Sequence, residues 1–147
     1  MTIANMVSRW ENLNVPEAVI SAMREKAGEL PDFNREQLEM GLRSDGGEVA
    51  PPYSFVTVQL KSVKAGLAGV SDRVTLYDTG DHYRQMYAEV RGEDVIFGSR
   101  DWKSSDLEAK YGLEIYGLTP ASKRNFNEEF LILEFIRQVK NNLYGRM

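Results

Sequence analysis

The sequence predicts an α+β fold, with N-terminal helices, a small antiparallel β-sheet with a central hairpin, and a long C-terminal helix. Three observations predict it. Apolar residues recur at helical spacing from Ile3 to Leu13; two alternating stretches flank a hairpin-length connection between Tyr83 and Phe97; and a long apolar stripe runs on from Thr119. The length of 147 residues suits one domain. Within it the expected parts are a helical segment over 1–30, a core over 33–118 carrying the hairpin 83–97, and a C-terminal helix over 119–146.

The first helix rests on Ile3, Met6, Val7, Trp10 and Leu13, which share one face. Asn14-Val15-Pro16 interrupts it and opens the second helix, with Asn14 as cap and Pro16 in the first turn, where its missing N–H costs nothing. That helix carries Ala18, Val19, Ala22, Met23 and Ala27 to about Glu29, and Leu30-Pro31 closes it. Phe33 to Leu42 fits a helix through Leu38 and Leu42, and an extended segment through Phe33, Gln37 and Gly41. Ser44-Asp45-Gly46-Gly47 is a turn.

Tyr53 to Leu67 sets β propensity in Phe55-Val56-Thr57-Val58 against helical spacing of Tyr53, Val56, Leu60, Val63 and Leu67, and spacing predicts a helix. Ala65 to Asp72 reads as a loop. Val74 to Tyr77 reads as strand-like and leads into a bend at Asp78-Thr79-Gly80-Asp81. Tyr83 to Val90 alternates, with Met86, Ala88 and Val90 on one face; Arg91 to Asp94 turns the chain and Val95-Ile96-Phe97 returns it. Ser105 with Glu108 forms an expected capping box for a short helix that ends at Tyr111-Gly112. Thr119 and Pro120 start the last helix as N-cap and N1, and its expected stripe is Phe126, Phe130, Leu133, Ile136, Val139 and Leu143.

Composition excludes several chemistries. With no Cys the chain has no disulfide, thiol nucleophile or thiolate zinc site, and its one His rules out a multi-histidine metal site. Eighteen Lys and Arg against 22 Asp and Glu give a net charge of -4, which disfavours sequence-independent binding to nucleic-acid phosphates. Lys61, Lys64, Lys103, Lys110, Lys123 and Arg124 are dispersed and read as solvated faces. No apolar run approaches the roughly 20 residues of a membrane-spanning helix, and the first 14 residues do not read as a signal peptide, so a soluble cytoplasmic protein is the default expectation.

Candidate chemistry concentrates in Asp78-Thr79-Gly80-Asp81-His82-Tyr83. An enzymatic reading pairs Asp78 or Asp81 with His82 as a general base, giving a small hydrolase. Neighbours on an extended chain point to opposite sides, so the plainer reading is a bend. Asp78-Thr79-Gly80 also matches the aspartic-protease pattern, whose second carboxylate a dimer would have to supply. Ser99 to Lys103 suits an anion site or, more simply, a loop anchored by Trp102, and Ser44–Gly47 lacks the Lys-[Ser/Thr] ending of a phosphate loop. In the last helix Leu131 and Phe135 fall off the expected stripe, which with Trp10 makes them candidate interface residues. A soluble regulatory or toxin-neutralising binding module is a third class.

An ordered series of short motifs carries a resemblance. It runs Gln37-Leu38-x-x-Gly41, Ser44-Asp45-Gly46, Pro52-Tyr53-Ser54 with Thr57 and Lys61, then Leu76-x-x-Thr79-Gly80-Asp81-x-Tyr83. It continues through Ser99-x-Asp101-x-Lys103, Leu107-x-x-Lys110-Tyr111-Gly112 and Tyr116-Gly117-Leu118. The series resembles small structural proteins of phages and prophages of Bacteroidetes-type bacteria and, more distantly, phage tail-completion and virion-morphogenesis proteins. It spans about Gln37 to Leu118, and departs from the distant families at Asp81-His82-Tyr83, where they carry a Leu-Arg type pair.

The resemblance implies a virion protein, made in the host cytoplasm, that joins head to tail in the neck. It would be a non-enzymatic component of a homo-oligomeric ring, without cofactor or metal. Its partners would be neck, portal or tail proteins, with no membrane and no sequence-specific nucleic acid. Thr79, Gly80, Asp81, Tyr83, Tyr111 and Gly112 would then be structural: Gly80 permits the bend, Thr79 bonds the local backbone, and Tyr111-Gly112 shapes the way into the last helix.

Overall fold

The computed structural model describes residues 2–54, 57, 58, 60, 61, 74–77 and 80–145. Three helices open the chain: α1 (Ile3–Glu11), α2 (Val15–Lys26) and α3 (Leu30–Glu39), with a 3-10 turn Ala27–Glu29 between the last two. A helical turn α4 (Asp81–Arg84) then precedes the hairpin β1 (Met86–Arg91) and β2 (Asp94–Ser99). After α5 (Ser104–Tyr111) and a 3-10 turn Leu113–Ile115 comes the long terminal helix. It consists of α6 (Pro120–Phe126), a π-turn (Asn127–Leu131) and α7 (Ile132–Tyr144). The class is α+β, as the sequence predicts.

The caps follow sequence chemistry. Thr2, Asn14 and Thr119 each accept a bond from the backbone N–H three residues on, and proline occupies the first turn of α2, α3 and α6. The ambiguous Phe33–Leu42 segment is helical as far as Glu39. The capping box at Ser105 does not form: the helix starts one residue earlier, from a turn in which Ser104 N–H bonds Asp101 O at 3.0 Å, and no side chain caps it.

Val74 to Tyr77 is not a strand. Its backbone groups are satisfied by side chains instead of a ladder. Tyr53 Oη accepts from Leu76 N at 2.9 Å and Thr75 N at 3.3 Å, and the Tyr83 hydroxyl donates to Thr75 O. Leu76 stands at φ 60, a left-handed conformation no regular strand has. The expected strand beginning at Tyr83 likewise starts later, because Gly80 (φ 87) reverses the chain into α4, where Arg84 N–H bonds Gly80 O at 2.9 Å. The expected helix over Tyr53–Leu67 is helical at residues 57, 58, 60 and 61; the rest of it beyond Ser54, and the Ala65–Asp72 loop up to residue 73, lie outside the described residues.

The hairpin pairs Met86 with Ser99 through Arg91 with Asp94. Its inner face carries Met86, Ala88 and Val90 with Val95 and Phe97 opposite, the alternation read from sequence. Ala88, Val90, Val95 and Phe97 pack on a cluster of Ala27, Leu30, Leu118 and Phe126. Phe33 meets the rings of Phe126 and Phe130 edge-on, at 5.8 Å and 6.0 Å. Met86 belongs to a second cluster with Leu38, Val49, Val74, Leu76, Tyr83, Tyr111, Ile115 and Tyr116, and Phe97 touches both.

Candidate functional site

Several residues of the motif series meet in the second cluster. Leu38 enters it from α3, Tyr53 from the loop, Tyr83 from α4 and Tyr111 from the end of α5. Ser99, at the end of β2, ties two of these parts together. Its hydroxyl donates to His82 O at 3.0 Å and accepts from Asp101 N at 3.3 Å. Tyr77 and Tyr83 stack edge to face at 5.3 Å, and burial pushes the Tyr83 phenol well above its ordinary pKa. Gly112 (φ 89, ψ 165) ends α5 in a conformation beyond the expected left-handed cap.

Against this cluster lies a cavity of about 330 Å³. Its walls are apolar and aromatic: Tyr53, Leu60, Leu76, Tyr77, Leu107 and Tyr111. Lys61 and Lys103 also border it; Lys61 Nζ stands 4.8 Å over the Tyr53 ring and bonds Tyr77 O. Its polar floor is His82 and Asp101, 5% and 3% exposed. Neither His82 ring nitrogen nor Asp101 Oδ2 has a hydrogen-bond partner among the described residues. Burial lowers the His82 pKa, against the opposing pull of Asp101 and then Glu108, so the imidazole is neutral at pH 7. The Tyr116 ring lies 6.0 Å from His82, and its hydroxyl is also unpartnered: Glu108 faces it without closing a well-formed hydrogen bond.

This geometry redraws the acid–base pairs considered from sequence. Asp78 and Thr79 lie outside the described residues. Asp81 pairs with Arg84 one turn along α4, while the His82 side chain turns inward, where the charges that reach it are Asp101 and Glu108. The helical turn is the reason, since it sends consecutive side chains in different directions. His82 and Asp101 share no hydrogen bond that would fix the imidazole tautomer as a catalytic dyad does. Sequence reading missed Asp101 as a neighbour of His82, because only the hairpin brings β2's end back to α4.

A second feature is the surface of the terminal helices. No residue of α1 is buried: Met6 is half-buried, but Ile3, Val7 and Trp10 form an exposed strip, with Trp10 52% exposed. Arg9 fastens this helix to the end of α7 by donating to Leu143 O at 2.8 Å. On α7 the π-turn changes the expected faces. One additional residue in that turn shifts the helical phase. Leu131 therefore packs on the core cluster and Phe135 is half-buried, whereas Leu133 and Ile136, predicted for the inner stripe, are 62% and 42% exposed. Of the candidate interface residues only Trp10 stands exposed; the exposed apolar positions on α7 include Ile132, Leu133 and Ile136.

Among the described residues no group of three or more His, Asp or Glu could hold a metal ion, and no helix is long and apolar enough to cross a membrane. Compared with family models, with curated proteins and with solved structures, the chain gives no match.

Proposed function

We propose that the chain is an assembly protein that works by protein–protein contact, a neck component of a phage virion that packs against further copies of itself in a ring between capsid portal and tail. The observation that carries the assembly part is the pair of apolar strips on the terminal helices. Ile3, Val7 and Trp10 repeat along one face of α1, and Ile132, Leu133 and Ile136 along one face of α7. Single exposed apolar residues are ordinary, but repeated ones on a helix that buries nothing of its own call for an apolar neighbour. A net charge of -4 favours protein over nucleic acid as that neighbour. A ring needs two different surfaces that meet head to tail, and two strips on separate helices supply them.

The position in the neck rests on the motif series, some of whose residues (Leu38, Leu76, Tyr83, Tyr111 and Tyr116) share one core cluster. The test is antibody labelling of particles from the phage or prophage that encodes the chain, viewed by electron microscopy. Label at the capsid–tail junction is expected. Label on the shell or along the tail would move the position, and a protein missing from finished particles would overturn the virion role.

A further inference from the structure

We infer that the outer edge of β2 is a pairing edge for a second copy of this chain, the two β2 strands running antiparallel about Phe97 so that two hairpins form one continuous sheet. The phase of the ladder shows which backbone groups are offered. Arg100 N bonds Gln85 O at 3.0 Å, so Gln85 and Arg100 form a bonded pair. Along the register from there, the bonded pairs are Tyr87–Gly98, Glu89–Ile96 and Arg91–Asp94. Val95, Phe97 and Ser99 therefore turn their N–H and C=O groups away from β1. The sheet has two strands, and among the described residues these groups have no hydrogen-bond partner. Asp94, Ile96 and Arg100 are exposed, and Val95, Phe97 and Ser99 are only half-buried. The strand carries neither Lys nor Pro, two of the residues that keep an open edge from pairing.

The occupant is a second copy because β2 is complementary to itself. In an antiparallel pair centred on Phe97, Phe97 meets Phe97 of the second copy, Val95 meets Ser99, Ile96 meets Gly98 and Asp94 meets Arg100. The outward groups of Val95, Phe97 and Ser99 then face one another, and each of these pairs can exchange both of its hydrogen bonds. A carboxylate meets a guanidinium at both ends of the contact. Arg100 bonds Glu89 at 2.9 Å and lies over the Tyr87 ring, yet its side chain is 63% exposed and has room for a second carboxylate. A parallel pair in the same register would set Asp94 against Asp94 and Arg100 against Arg100, and like charges directly opposite are unfavourable. At Gly98 a Cβ would stand 2.7 Å from Tyr87 Oη, so the Tyr87 ring covers that glycine and offers the exposed Ile96 of the second copy an apolar surface. A twofold contact of this kind closes on itself as a dimer. It uses no residue of the α1 and α7 strips and does not depend on the proposed ring.

The experiment follows amide hydrogen exchange by NMR on the full chain at low and high concentration, with sedimentation to count copies. In the monomer the Val95, Phe97 and Ser99 amides should exchange quickly, since nothing bonds them. As the dimer forms they should slow at least about tenfold, the factor that 1.4 kcal/mol gives. The amides of Met86, Ala88 and Val90, on the opposite edge, should change less. Asp94→Arg and Arg100→Asp should each weaken the dimer about tenfold, and the double charge swap should restore it, with a native amide spectrum showing each variant folded. Leu133→Asp should leave the dimer intact. A chain that stays monomeric overturns the proposal, as do edge amides that are already slow in the monomer. A dimer that leaves these amides fast and is abolished by Leu133→Asp also overturns it, and assigns the contact to the helical strips with the ring reading still standing. Slowed amides without rescue by the double swap overturn the antiparallel pairing.

Discussion

The side-chain oxygen of Gln37 accepts a hydrogen bond from the backbone N–H of Thr119 at 2.8 Å, so a residue of α3 holds the first residue of the terminal helix's cap. The same side chain donates to Gly117 O at 3.1 Å. One turn earlier, Asn34 donates to Ile115 O at 3.0 Å and accepts from Gly117 N at 3.2 Å. Both side chains are fully buried or nearly so. They replace strand pairing for the end of the 3-10 turn at Ile115 and for 116–119, which has no regular structure. An apolar residue at position 37 would leave a buried N–H and a buried C=O without partners. Gln37→Leu should therefore lower unfolding free energy by about 2–4 kcal/mol, read from urea denaturation, with little change in the slope. A loss below about 0.5 kcal/mol would show that solvent serves these groups as well.

Gly112 supplies a second test. Its φ of 89 with ψ of 165 belongs to a region that only glycine enters readily, and a Cβ there would stand 2.6 Å from Glu114 Oε2. Glu114 is an exposed side chain and can move away, so the backbone sets the cost. Gly112→Ala should destabilise by about 1–3 kcal/mol, and Gly112→Ala combined with Glu114→Ala should recover little of it. Full recovery in the double variant would assign the effect to the side-chain clash.

The pH dependence of stability should carry the mark of Glu134. This carboxylate is buried at the α2–α7 contact, where Arg137 grips it at 2.6 Å and 3.0 Å and Gln138 donates at 3.0 Å. The Arg137 hydrogen bond chiefly holds its pKa down, from an ordinary 4.5 to about 2. A carboxyl whose folded pKa is depressed stabilises the fold above its unfolded pKa and loses that contribution as pH falls through the folded one. Stability should thus be level with respect to this group near neutrality and decline from about pH 4.5 toward 2. Glu134→Gln should flatten that decline in a series of denaturation curves. Asp45, held below its usual range by the Gly47 N–H, leaves a residual slope in the same direction.

Much of the fold was legible because local chemistry and tertiary structure agree. Asn14 and Thr119 cap, Pro16 and Pro120 start helices, and the hairpin's alternation sets its faces, whereas Pro31, expected to close the second helix, sits in the first turn of α3. The failures are instructive in kind. Val74–Tyr77 has strand composition, but the hydroxyl of Tyr53, distant in sequence, and that of the nearer Tyr83 take over backbone bonds. The floor of the cavity was half visible: His82 stood out as the only imidazole, while Asp101 was hidden in a motif that reads as a loop. The π-turn was invisible, because a 3.6-residue period has no means of announcing one inserted residue.

That inserted residue separates two substitutions that the sequence alone would rank in the opposite order. A strict α-helical period puts Leu133 in the core stripe and Phe135 outside it. Past the π-turn, Phe135 is half-buried beside Glu134, and Leu133 is 62% exposed on the strip with Ile132 and Ile136. Phe135→Asp should then act on folding, with a loss of about 2–4 kcal/mol from placing a charge at a partly buried site. Leu133→Asp should leave the melting temperature of the dilute monomer within about 2 °C, since surface substitutions rarely exceed 0.5 kcal/mol. Its effect should appear in assembly instead, as a fall in the sedimenting oligomer and in incorporation into particles, with Trp10→Asp acting alike on the α1 strip. If Leu133→Asp unfolds the chain and Phe135→Asp leaves it folded but unassembled, the helical phase is that of an uninterrupted α-helix and the exposed strip on α7 is not the contact surface.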